Sequence, residues 1–161
     1  MTLSPTLTFN DGNTIPQLGY GVWQVEDDVE LGKGLWRRAH DRFHRGLDRF
    51  HQVLEGVEDD QLYGELLEIA NELAALLPRV RAVCMEAQRR APSDGLDIPA
   101  ALSNVHRSLS KAGNSLATTA EAAAMLRLAV GPVPVGAASV HRRAEAVFQQ
   151  VDDAERQLHS E

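Results

Sequence analysis

The densest run of side chains able to do chemistry lies between His40 and His51. Residues 41–47 read DRFHRGL and residues 48–54 read DRFHQVL, a repeat at an offset of seven. Asp41 precedes His44 by three positions, and Asp48 precedes His51 by three. On a helix, a carboxylate and an imidazole at that spacing can point at one ion, as in metal-holding helical bundles. His40 and His44 also have the i, i+4 spacing of metal-binding helices. The candidate metal ligands are therefore His40, His44, His51 and Asp48. The same residues also suit a solvated helix flank with local Asp–Arg and Asp–His pairs. Bundle di-metal centres take Glu-x-x-His from two helices, whereas here Asp-x-x-His occurs twice on one. His106 and His141 have no carboxylate three positions earlier.

Other reactive groups are sparse. Cys84 is the single cysteine, so no disulfide can form within the chain. It lies beside an apolar seam and reads as a small buried side chain, with Arg79 and Arg81 the nearby groups able to lower its pKa. Ser115, Thr118 and Thr119 cluster among alanines without a nucleophile–base arrangement. No phosphate-binding glycine loop occurs, and 131–136 is a proline turn. No catalytic residue is assigned, and no cofactor is implied by these patterns.

The elements that would carry these groups are helices. Trp36, His40, Phe43, Leu47, Phe50 and Leu54 alternate in steps of four and three, the heptad rule. The pattern predicts a helix over about 33–55, stopped by Gly56. A second seam runs Leu62, Leu66, Ile69, Leu73, Leu76, Val80, Val83, Ala87, predicting a helix over 60–90. Asp59 is its N-cap, and Pro78 should kink or break it. A third seam runs Ile98, Leu102, Val105, Leu109, Ala112, Leu116, Thr119, Ala123, Leu126. It predicts a helix over 98–129, capped by Asp97 with Pro99 in its first turn. A fourth, over 137–159, runs Val140, Ala144, Val147, Val151, Ala154, Leu158. Short connections predict antiparallel neighbours. The expected fold class is all-α: an elongated antiparallel four-helix bundle over 32–161, preceded by an extended, β-hairpin-like tail over 1–31. A three-helix bundle with the last helix loosely docked is the alternative.

Charge suggests a register for the first pair. Residues 32–56 hold six basic and three acidic side chains, while 57–78 hold six acidic and no basic ones. A hairpin near Val57 would set Arg49 near Glu65, Arg45 near Glu68 and Arg42 near Glu72.

The 161 residues suit one domain, and 43% hydrophobic with 24% charged residues suits a packed core. A net charge of −7 argues against nucleic acid and anionic membrane as partners. No segment approaches the ~20 apolar residues of a membrane span. No basic segment followed by an apolar run opens the chain, so no secretory signal is read. With one cysteine, a cytoplasmic setting is expected.

Residues 7–25 read LTFNDGNTIPQLGYGVWQV. This stretch resembles the start of the aldo-keto reductases, whose opening hairpin plugs the bottom of a (β/α)8 barrel. The resemblance implies that Gly21 and Val22 would approach a nicotinamide cofactor and that Trp23 would line the substrate pocket. It covers about one-eighth of the chain. The family's next segment, resembling GYRHIDTA with its catalytic Asp, is missing after Asp28, as are matches to its catalytic Tyr, Lys and His. A full barrel also needs roughly 250 residues. From Lys33 onward, KGLWRRAHDRFHRGLDRFHQVLEGVEDD and APSDGLDIP are similar to a group of small actinobacterial helical proteins. That similarity implies a helical fold and a bacterial cytoplasmic setting, without an activity.

The functional expectation is a non-enzymatic helical interaction or scaffold protein, self-associating or binding a helical partner. The alternatives are a metal-binding helical bundle and an aldo-keto reductase-like fragment.

Overall fold

The computed structural model describes residues 30–95, 98–128 and 137–160. The expectations for the extended tail, for Gly21, Val22 and Trp23, for Asp97 as a cap and for the 131–136 turn lie outside the described residues. The described part of the unit Gly32–Glu161 is helical, without strands. Its elements are α1 (Leu35–Glu55), α2 (Asp60–Ala74), α3 (Leu77–Arg90), α4 (Ser103–Leu128) and α5 (Ala138–Ser160). α2 and α3 together form one rod, so four rods pack around one core.

The heptad seams supply that core. Trp36, Phe43 and Phe50 of α1 are fully buried, with Leu66 and Leu73 of α2, Val80 of α3, Leu116 of α4 and Val147 of α5. α4 and α5 make the most extensive contact. Their seams include the buried small residues Ala112, Ala120, Ala123, Ala144 and Ala154, which let two helices approach closely.

α2 opens on Asp59, whose carboxylate accepts the Leu62 amide at 2.8 Å. The expected interruption of the 60–90 helix falls at Ala75 and Leu76, and Pro78 then occupies the first turn of α3. Proline lacks an N–H, and its ring clashes with the carbonyl four residues earlier. That carbonyl belongs to Ala74, the last residue of α2.

α4 begins at Ser103 rather than 98. Ile98 is 55% exposed, and Leu102 is buried with a φ of 67°. This left-handed turn just ahead of the helix sends the 91–102 connection in a direction no continuous helix would take.

Trp36 Nε1 donates to the Ala91 carbonyl at 2.9 Å, while His40 feels Arg81, so α1 runs antiparallel to α3. α1 and α4 instead run parallel. Trp36 meets His106 edge-on at 6.0 Å, Arg42 bonds Asn114, the Leu116 side chain sits over Gly46, and Arg127 lies against Gly56. α3 and α5 are also parallel, through Arg79 with Asp152 and Glu155 and through Arg90 with the Leu158 carbonyl. α2 and α3 make at most glancing contact with α4. The expectation that all neighbours are antiparallel is therefore corrected. The rods do alternate in direction along the chain, but the second and third stand on a diagonal. A connection of 91–102 is long enough to cross that diagonal, where a tight turn is not.

The expected Arg49–Glu65, Arg45–Glu68 and Arg42–Glu72 pairs do not form. Arg42 donates to Asn114 on α4, and its neighbour Gly46 faces Leu116. Arg42 thus leans toward α4, away from α2. A heptad position says inward or outward, and not which neighbour an outward side chain leans over.

Candidate functional site

α1 enters the bundle at Gly34, which has no side chain to cap a helix. The cap comes from 58 residues away: Ser93 Oγ accepts the Leu35 amide at 3.0 Å. Gln88 Oε1 in turn accepts the Ser93 amide at 3.1 Å, and Arg38 donates to the Gly95 carbonyl. One turn further on, α1 presents its histidines.

His40 is 1% exposed and His44 6%. Their rings stack with centroids 6.3 Å apart and planes 22° from parallel. His40 Nδ1 donates to Asp41 Oδ1 at 3.0 Å, which leaves its Nε2 lone pair buried without a hydrogen-bond partner. His44 Nε2 lies 4.0 Å from Asp48, and Arg37 lies 3.5 Å from Asp41. The carboxylates therefore engage at spacings of one and four, not at the expected three. His51 is exposed, and its Nδ1 donates to the Leu47 carbonyl at 2.8 Å.

His40 and His44 are thus brought together, Asp48 stands at the margin, and His51 is turned to its own backbone. Among the described residues no group of three or more His, Cys, Asp or Glu side chains is placed to hold a metal ion. Stacked rings offer each other faces, whereas shared coordination needs ring nitrogens converging on one point. One heptad turns a straight helix by about 20° short of two full circles. The DRFH repeat nevertheless gives one buried and one exposed histidine, because His51 lies near the end of α1.

Burial holds the His40 imidazole below its usual pKa of 6.5; the Asp41 hydrogen bond and charge pull it back up, and Arg81 and His44 add to the depression. Burial alone lowers His106, which sits against Trp36. Between the lowered folded value and the usual 6.5, the unfolded chain binds more protons than the folded one. Stability is then level above about pH 6.5 and falls as pH drops below it toward the folded values. Urea midpoints measured at pH 7.5 and pH 5 should show that fall, and His40→Leu should flatten it. An equal fall in wild type and His40→Leu would remove His40 as a cause.

Cys84 of α3 is fully buried, and burial pushes its thiol up to about 12, with Asp41 raising it and Arg81 opposing. It holds its proton at neutral pH and is no nucleophile there. Thr118 and Thr119 donate to the Asn114 and Ser115 carbonyls at 3.0 and 2.7 Å, so their hydroxyls serve the helix.

A groove of about 430 Å³ runs between α3 and α5, bordered by Arg79, Glu86, Arg90, Glu155 and His159. Its charges are largely spent on each other. Arg79 reaches Glu155 at 2.6 Å and Asp152 at 2.5 Å, which raises its already high pKa further. Glu86 takes Arg89, with Arg90 at 4.0 Å. Arg79 is 41% exposed, so its pairs contribute about 0–1 kcal/mol each. They fix the placing of α3 on α5 more than they stabilise it.

The surface feature sequence reasoning missed is apolar. Tyr63 and Leu67, one turn apart on α2, are 40% and 36% exposed, and Met125 and Leu128 on α4 are 73% and 70% exposed. Because Arg127 lies against Gly56, the end of α4 and the start of α2 share one end of the bundle. Tyr63 and Leu67 fall off the heptad seam, and that was the available signal. Among the described residues no helix is long and apolar enough to cross a membrane. Comparison with protein-family models, with curated proteins and with solved structures finds no match.

Proposed function

We propose that the helical unit is a non-enzymatic interaction module whose contact surface centres on the exposed side of α2. The observation that carries this reading is the pair Tyr63 and Leu67, large, apolar and open to solvent one turn apart on α2. Single exposed apolar residues are ordinary; two side by side on one helix face suit a partner. Each such side chain contributes about 1.5–3 kcal/mol when a partner covers it fully. The polar groups of the interior support the same reading. The histidines, Cys84 and the threonines are committed to neighbouring carboxylates, to burial or to helix carbonyls.

The test is retention of protein from a cell extract by the immobilised full chain. Tyr63→Glu with Leu67→Glu should abolish the retained set. Melting should hardly change, since surface substitutions of this kind move stability by about 0.5 kcal/mol or less. A retained set identical to that of wild type would overturn this surface as the contact site.

A further inference from the structure

The bundle carries two charged stripes that find no counter-charge among the described residues. On α1, Arg42, Arg45 and Arg49 are exposed; on α2, Glu65, Glu68 and Glu72 are exposed. The described ion pairs lie elsewhere: Arg37 with Asp41, Arg79 with Asp152 and Glu155, Arg89 and Arg90 with Glu86, and Arg156 with Asp153. Arg42, at the head of the basic stripe, is turned to α4, where it meets the neutral Asn114.

We propose that a second copy of the chain docks by laying its α2 glutamates along the α1 arginines of the first. The two stripes share one spacing, three then four residues, so helices laid side by side in the same direction bring each arginine opposite a glutamate. Gly64 lies between Leu67 and the glutamates on the outer side of α2, and nothing stands within 4 Å of where its side chain would project. Inside an exposed helix glycine is a poor helix former, and no packing within the chain asks for it. Another helix drawing close to α2 does. The two stripes sit on different helices and lean different ways, so the contact joins unlike surfaces. The docked pair keeps one free stripe on each copy, of opposite sign, and association extends as an open chain of copies rather than closing as a pair.

This inference rests on the interaction reading and names the partner; if the chain stays monomeric while its Tyr63- and Leu67-dependent retention of another protein persists, only the second copy is excluded. The test is sedimentation of the full chain over a concentration series. Wild type should sediment faster as concentration rises at 50 mM salt, and its association should weaken about tenfold or more at 500 mM, as screening shortens the reach of the charges. Two variants separate the stripes. Arg45→Ser with Arg49→Ser keeps only the acidic stripe, and Glu65→Gln with Glu68→Gln and Glu72→Gln keeps only the basic one. Each alone should be monomeric with wild-type helicity. Their mixture should form a one-to-one pair that grows no further. Gly64→Gln should melt at or above the wild-type temperature yet associate less. A monomeric wild type at low salt, stripe variants that each associate like wild type, a mixture that stays monomeric, or a Gly64→Gln chain that associates undiminished would overturn the proposal.

Discussion

Trp36→Ala should cost about 3–5 kcal/mol from lost packing and the cavity left behind. The Trp36 ring is fully buried and packs edge-on to His106, so removing it opens the contact between α1 and α4. Its indole N–H also serves the Ala91 carbonyl at 2.9 Å. A buried carbonyl left without that donor adds about 1–3 kcal/mol. Against a domain stability of about 5–15 kcal/mol, the variant would be marginally folded at best. Trp36→Phe keeps most of the ring and loses only the donor, so its cost should be near the second term alone. Urea midpoints of both variants would check this. A Trp36→Ala cost below about 1.5 kcal/mol would mean that the ring is not the anchor of the crossing connection.

Gly34→Ala is the second large effect, and it acts through space rather than through backbone preference. A methyl group at Gly34 would lie well inside contact distance of the Ser93 carbonyl, which is backbone and cannot swing aside. The 91–102 connection must then shift, at about 1–3 kcal/mol for overpacking. The shift also withdraws Ser93 Oγ from the Leu35 amide, and losing such a cap costs about 1 kcal/mol. Ser93→Ala isolates the cap and should show that smaller share. Thermal melts of the two variants should therefore differ, with Gly34→Ala the lower. Equal melting temperatures would mean that the connection yields to the methyl group freely.

Much of the helical content was legible because burial leaves a periodic mark. Trp36 through Leu54 and Val140 through Leu158 are buried at the heptad positions the sequence marks out. Pro78 announced the break between α2 and α3 for a covalent reason that acts in any surroundings. What remained hidden depends on neighbours. Pro99 suits the first turn of a helix locally, yet the chain there is still crossing the diagonal, and the turn at Leu102 delays α4 to Ser103. The charge pattern pointed α1 at α2, and Arg42 leans instead over α4, because the pattern holds no information about which rod stands on which side. At the histidines, spacing marked a helix flank correctly as rich in Asp and His. It could not separate His40, sealed beneath Arg81 and Asp41, from His51 near the end of the helix. Ser93 as the cap of α1 had one faint signal, a helix opening on Gly34 with no capping side chain of its own.

The parallel pairing of α1 with α4 has a consequence for how quickly the chain can fold. Arg42 of α1 reaches Asn114 of α4 across 72 positions. A bundle wound from successive hairpins is dominated by local contacts, and such chains reach the native state in microseconds to milliseconds. Here long loops must close before the first rod meets the third, and closing such loops costs chain entropy before the contact rewards it. The helices themselves form quickly; the slower event is the search that brings α1 to α4.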